Sequence, residues 1–152
     1  MKFVFFVFFV AISLTLFSQN EEEAIMFHEL PKWEQTFQIA KSKAKKENKP
    51  ILIYFSGSDW CGPCIKLDKE LFHTKEFVNF SKNKFILYLA DFPRNKDLVP
   101  EETRKVNAKL AKKYNNSFPS VVIINRKGKL LGERKGSYLS SSYYSFFESV
   151  LH

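Results

Sequence analysis

An uncharged apolar run from Phe3 to Phe17, preceded by Lys2 and followed by Ser18, Gln19, Asn20 and three glutamates, sets the start of the chain apart from the rest. A basic start, an apolar stretch and a small residue ahead of a polar leader predict a secretory signal peptide over 1–18 and one domain over 19–152. The run is shorter than the roughly 20 apolar residues a membrane-crossing helix needs, and no basic cluster follows it. Over 31–46, Trp33, Phe37, Ala40 and Ala44 recur at helical spacing among lysines, which predicts an amphipathic helix ended by Asn48-Lys49-Pro50. Ile51-Leu52-Ile53-Tyr54-Phe55 is an unbroken apolar run of strand length, the pattern of a central strand covered on both faces. After the loop Ser56-Gly57-Ser58-Asp59, a helix is expected over 61–71 with Ile65, Leu67 and Leu71 inward, then a short one over 75–81 with Phe77 and Phe80 on one side. Residues 85–90 read as a second buried strand, 92–101 as a loop, and 102–114 as a helix presenting Val106, Leu110, Ala111 and Tyr114. Strands over 120–124 and 130–134 flank a turn containing Gly128, the signature of a β-hairpin. Tyr143, Phe146, Phe147, Val150 and Leu151 then fall at helical spacing after a serine-rich start that can cap a helix.

This order of helices and strands predicts an α/β domain. Its 45% hydrophobic composition supports a real core, although six of the 17 phenylalanines lie in the expected signal peptide. The formal charge of +8 could favour acidic partners or anionic surfaces. The lysines are scattered over several segments (Lys41, Lys43, Lys45 and Lys46; Lys109, Lys112 and Lys113; Lys127 and Lys129), at positions that read as solvated helix faces and turns. No recognition motif accompanies them, so no nucleic-acid partner is expected.

Cysteine usage changes the picture more. The two cysteines, Cys61 and Cys64, are too few for a disulfide-stapled scaffold or a four-thiolate zinc site, and the three histidines are scattered, so no metal or cofactor is expected. A cysteine at a helix start has its thiolate stabilised by free backbone N–H groups and the helix dipole. One turn on, Cys64 lies on the same face, within the Cα separation of about 4.4–6.8 Å that a disulfide needs. Pro63 is tolerated in a first turn, Gly62 leaves room for another chain to approach, and Trp60 would shape one side of the site. A redox pair is therefore expected, against a static bridge or half a metal site.

Trp60-Cys61-Gly62-Pro63-Cys64 after a buried strand resembles the active-site segment of the thioredoxin family, and Ser117-Phe118-Pro119-Ser120 before another resembles that family's cis-proline turn. The likeness runs from about Pro31 to the end of the chain, and in detail is nearest to exported bacterial thioredoxin-like proteins and the C-terminal domain of the transmembrane thiol-disulfide interchange protein. It implies a thioredoxin fold: a central mixed sheet with helices on both faces and a C-terminal β-hairpin plus helix. It implies further that Cys61 attacks, Cys64 resolves, and Phe118 and the cis Pro119 receive a disulfide-bonded protein substrate. The family's strand aspartate is missing, for Tyr54 and Phe55 stand there. Asp68, matching an acidic position of the interchange-protein domain, is the candidate proton acceptor, and Asp59 is expected to face solvent near Cys61. The expected protein is thus a monomeric reductase in the bacterial periplasm, or otherwise secreted, recharged by a membrane electron donor. The alternative is a non-catalytic module of the same fold that binds a peptide or protein.

Overall fold

The computed structural model describes residues 30–114, 117–136 and 138–152, so the segment expected to direct export lies outside the described residues. Its centre is β1 (Ile51–Ser56), six residues long and buried throughout. Beside it run β2 (Ile86–Asp91), parallel, and β3 (Ser120–Ile124), antiparallel; β4 (Leu130–Lys135) pairs antiparallel with β3 to complete a mixed sheet of order β2-β1-β3-β4. Alternation along β1 sends Leu52 and Tyr54 into one core and Ile51, Ile53 and Phe55 into another. The helices α1 (Phe37–Glu47) and α4 (Glu101–Tyr114) cover the second core. The first is covered by α2 (Gly62–Leu67), a wide turn over Asp68–Phe72, α3 (Lys75–Ser81) and α5 (Tyr143–Leu151). Cover on both faces is why β1 carries no polar alternation. The architecture is the expected mixed sheet with helices on both faces.

The first helix starts later than its spacing predicts. Thr36 is extended, at φ −136°, and its hydroxyl accepts the N–H of Ile39, so the helix is capped there and not at residue 31. Upstream of the cap, Trp33 bridges to Leu87 of β2, and Glu34 N donates to Leu87 O at 2.9 Å. The Trp33 ring packs on Phe72 and Tyr54 in one core, whereas Phe37 packs on Tyr88 in the other. Their spacing of four residues thus joins two faces of the sheet, not one face of a helix.

Two inward positions also need correction. Ile65 is 50% exposed. After it the helix widens: His73 N donates to Asp68 O at 2.8 Å, and this extra residue per turn puts the adjacent Leu71 and Phe72 both in the core. On α4, Val106 is exposed and Asn107 is fully buried in its place. Asn107 is satisfied from two sides, accepting from Tyr88 OH at 2.6 Å and donating to Asp91 O at 3.0 Å. A hydrophobic period cannot register a polar residue that is buried because it is hydrogen-bonded.

Candidate functional site

The topology gathers the carboxyl ends of β1 and β2 and the start of β3 at one end of the sheet, with Ser56 opposite Asp91 and Phe55 opposite Ser120. The chain leaving β1 folds back on itself, and Gly57 O accepts the N–H groups of Trp60 (3.2 Å) and Cys61 (2.8 Å). Only glycine fits at residue 57, because a Cβ there would stand 2.3 Å from Cε2 of the Trp60 indole. Cys61 is the extended residue that begins α2, and its Sγ accepts the N–H of Cys64 at 3.3 Å. Its carbonyl accepts from Cys64 N and Ile65 N, so the first turn closes on Cys61 itself. Pro63 sits in that turn, where its missing N–H has no helical partner to lose.

Cys61 and Cys64 are joined as a disulfide with a Cα separation of 5.2 Å. Both sulfurs are sheltered, Cys61 at 5% and Cys64 at 0% exposure. Gly62 and Pro63 stand out in solvent, and a side chain at residue 62 would meet nothing within 4 Å. The Phe118–Pro119 peptide bond is cis, the isomer that the resemblance implies. An aromatic rim follows beside the disulfide: Trp60 meets Phe118 edge-on with ring centres 5.6 Å apart, and Phe118 meets Phe92 at 5.3 Å. Trp60 is held at both ends, its Nε1 donating to Phe92 O at 2.8 Å and the Arg94 guanidinium lying 5.5 Å from its ring. The structure therefore brings Trp60 and Phe118 together beside the turn that holds Cys61, Gly62, Pro63 and Cys64, with Pro119 next to Phe118 in the chain.

Asp59 is exposed, as expected, and its carboxylate is also tied down. Its carboxylate accepts the backbone N–H groups of Asn95 (2.8 Å) and Arg94 (2.9 Å), and these bonds hold its carboxyl below the usual carboxylate range. It ties the loop before Trp60 to the loop after β2. Beneath the disulfide, Tyr54 OH donates to Cys64 O at 2.9 Å; burial pushes its phenol far above the ordinary value, so it remains a donor. Asp68 is half-buried with Oδ2 3.1 Å from His73 Nδ1, and its backbone N–H bonds Cys64 O. Desolvation raises its carboxyl above the usual range, the nearby His73 opposes this, and the charge of Asp91 reinforces it. Among the described residues, no group of three or more His, Cys, Asp or Glu side chains could hold a metal ion.

Asp91 and Arg94 were not among the residues that the sequence singles out. The Asp91 carboxylate accepts Ser58 Oγ (2.6 Å), Ser58 N (2.9 Å) and Phe92 N (2.9 Å), which anchors the loop that carries Trp60 and Cys61. The available signal was an acid closing an otherwise apolar strand, at the point where two parallel strands end together.

Comparison with known proteins agrees with this geometry. The model of the thioredoxin-like domain family matches residues 37–150. Two proteins of Chlamydia pneumoniae are similar in sequence. "Disulfide bond reductase DsbH" is 37% identical over 100 residues, 65% of this chain and 59% of that protein. "Thioredoxin-related protein DsbJ" is 31% identical over 124 residues, 77% of this chain and 35% of that protein. The chain therefore spans less than two thirds of either relative. A solved structure named "DsbH Oxidoreductase" superposes with a TM-score of 0.74 at 32% identity, over 81% of this chain and 85% of that one.

Proposed function

The chain belongs to the thioredoxin-like family, and from that premise we propose that it is an exported thiol-disulfide oxidoreductase that reduces protein disulfides through Cys61 and Cys64. The observation that carries this reading is the Cys61–Cys64 disulfide, closed at a helix start where Trp60 meets Phe118. In the dithiol form, the Cys64 N–H and the free end of the helix favour the Cys61 thiolate. That thiolate attacks a substrate disulfide, forming a mixed disulfide and expelling the first substrate sulfur as a thiolate, which takes a proton from water. Cys64 then gives its proton through a water to the Asp68 carboxylate and attacks Cys61 Sγ. The second substrate sulfur leaves as a thiolate and takes the proton held by Asp68, and the Cys61–Cys64 bond is restored. The substrate has gained two electrons and two protons, and the enzyme must be recharged by a dithiol donor, which we place in the membrane.

Trp60, Gly62, Pro63, Phe118 and Pro119 form the seat for an extended substrate segment, with open space over Gly62 and a fixed aromatic wall opposite. The reductive direction is supported by Gly62-Pro63, the dipeptide of reducing thioredoxin, whose potential of about −270 mV lies well below the about −120 mV of the oxidant DsbA. The name of the similar chlamydial reductase supports the same direction. Export to the periplasm rests on the signal peptide expected over residues 1–18, with 19–152 as the working domain. Reduction of insulin disulfides by a dithiol-charged sample is the test: the wild type should accelerate it and Cys61→Ser should not exceed dithiol alone. Equal rates for the two would sink the enzyme in favour of a binding module.

A further inference from the structure

Lysines that are scattered in the sequence converge in the fold. Lys41 and Lys45 from α1, Lys109 and Lys113 from α4, and Arg126 and Lys127 from the β3–β4 turn line one cleft of about 490 Å³. Its floor is apolar, with Ile51, Leu110 and Ile124, and among the described residues no acidic side chain lines it. Helix ends explain part of this, because cations are favoured at carbonyl-terminal turns. That accounts for Lys45 and Lys113, in the last turns of α1 and α4. It does not account for Lys41 and Lys109, one turn earlier, or for the two cations of the hairpin turn. Nor is the charge neutralised locally. Among the described residues none of the six forms an ion pair; Lys41 and Lys113 lie over the rings of Phe37 and Tyr114, and Arg126 donates to the Asn48 side chain.

Two further observations say what such a cleft fits. Exposed apolar surface lies next to the cations: the turn residues Asn125, Arg126 and Lys127 also border a second concavity lined by Leu131, Val150 and Leu151, and Leu130 and Leu131 are 43% and 41% exposed. Basic side chains mixed with exposed leucines at one end of a molecule are the makeup of an interfacial membrane binder. Five of the six cations are lysines, point charges on flexible stems that suit a diffuse anionic surface, whereas forked recognition of a partner's carboxylates favours arginine. The cleft also lies where β1 begins and β3 ends, with Ile51 opposite Ile124, while the disulfide lies past the other end of the same strands. At about 3.3 Å per residue the two ends are roughly 15 Å apart.

We infer that this basic end of the molecule docks on an anionic phospholipid bilayer, with the disulfide turned away from the lipid. The test uses the full chain and vesicles of phosphatidylcholine with and without phosphatidylglycerol. The readout is the ratio of partitioning on the two, because the apolar run near the N-terminus contributes to both alike. A lysine near an anionic surface is worth about fivefold in partitioning. The ratio should therefore fall about 25-fold in Lys109→Gln/Lys113→Gln, return in Lys109→Arg/Lys113→Arg, and shrink in the wild type as salt is raised. Insulin reduction in the absence of vesicles should be unchanged in both variants, which also reports that they fold. A ratio that the glutamine variant leaves unmoved would overturn the proposal. So would protection of Lys109 and Lys113 from acylation by a polyglutamate peptide when anionic vesicles give none, which would hand the cleft to an acidic protein.

Discussion

Asp68 sits one turn past Cys64 on the same stretch of helix with its carboxylate half-buried beside His73, and the role proposed for it is to take the Cys64 proton through a water. Because burial raises its carboxyl, the charged form is disfavoured in the folded protein, and this sets the direction of two effects. In stability, the contribution of Asp68 is fully present below its unfolded pKa and is lost as pH rises through the raised folded value. Asp68→Asn should therefore leave the urea midpoint at neutral pH unchanged or higher. In rate, the wild type should slow as pH falls through that raised value, since a protonated Asp68 can no longer accept from Cys64. The asparagine variant should be slower at neutral pH by up to about a hundredfold, the lower end of what a positioned base supplies, and should regain rate as hydroxide rises. Superimposable pH–rate profiles for the two would leave water alone as the acceptor.

At the level of elements, β4 and α5 meet more closely than their side chains alone would allow. Gly132, paired with Ile123, lies directly under α5, and a Cβ there would come within 2.5 Å of Val150 Cγ1 and 3.1 Å of Phe146 Cε2. Gly132→Ala must lift the helix or force both side chains aside, which should cost about 1–3 kcal/mol, read as a lower urea midpoint with an unchanged slope. This contact is of the kind that a sequence does not display. The strands were legible because β1, β2 and β3 are apolar runs with polar ends, the cysteine pair because its residue types are restricted by chemistry, and the cis Phe118–Pro119 turn through its resemblance to a family motif. What stayed hidden came from long-range packing. Trp33 and Phe37 share a helical spacing yet lie on opposite faces of the sheet, Asn107 is buried by its hydrogen bonds, and Asp91 reaches the active loop only through the pairing of two distant strands.

Across the whole molecule, the sheet separates two cores, and the one beneath the disulfide is dominated by aromatic rings. Phe147, fully buried, packs against Phe77, Phe80, Phe85 and Tyr143, and so joins α5 to α3 and to the residue that leads into β2. Phe147→Ala should cost about 3–5 kcal/mol, measurable as a fall in the urea midpoint, and the loss should be felt on the face that carries Cys64. The segment that joins Trp33 and Glu34 to Leu87 has a consequence of a different kind. β2 is the outermost strand on its side of the sheet, and an outermost strand presents a row of unpaired peptide groups that another chain can adopt as a template. At the far side, β4 is guarded by its own Glu133, Arg134 and Lys135. β2 reads Ile-Leu-Tyr-Leu-Ala before its terminal aspartate and has no such charges, so the bridge from Trp33 to Leu87 and the Glu34 N–H on Leu87 O cover the middle of an edge that its own side chains leave undefended.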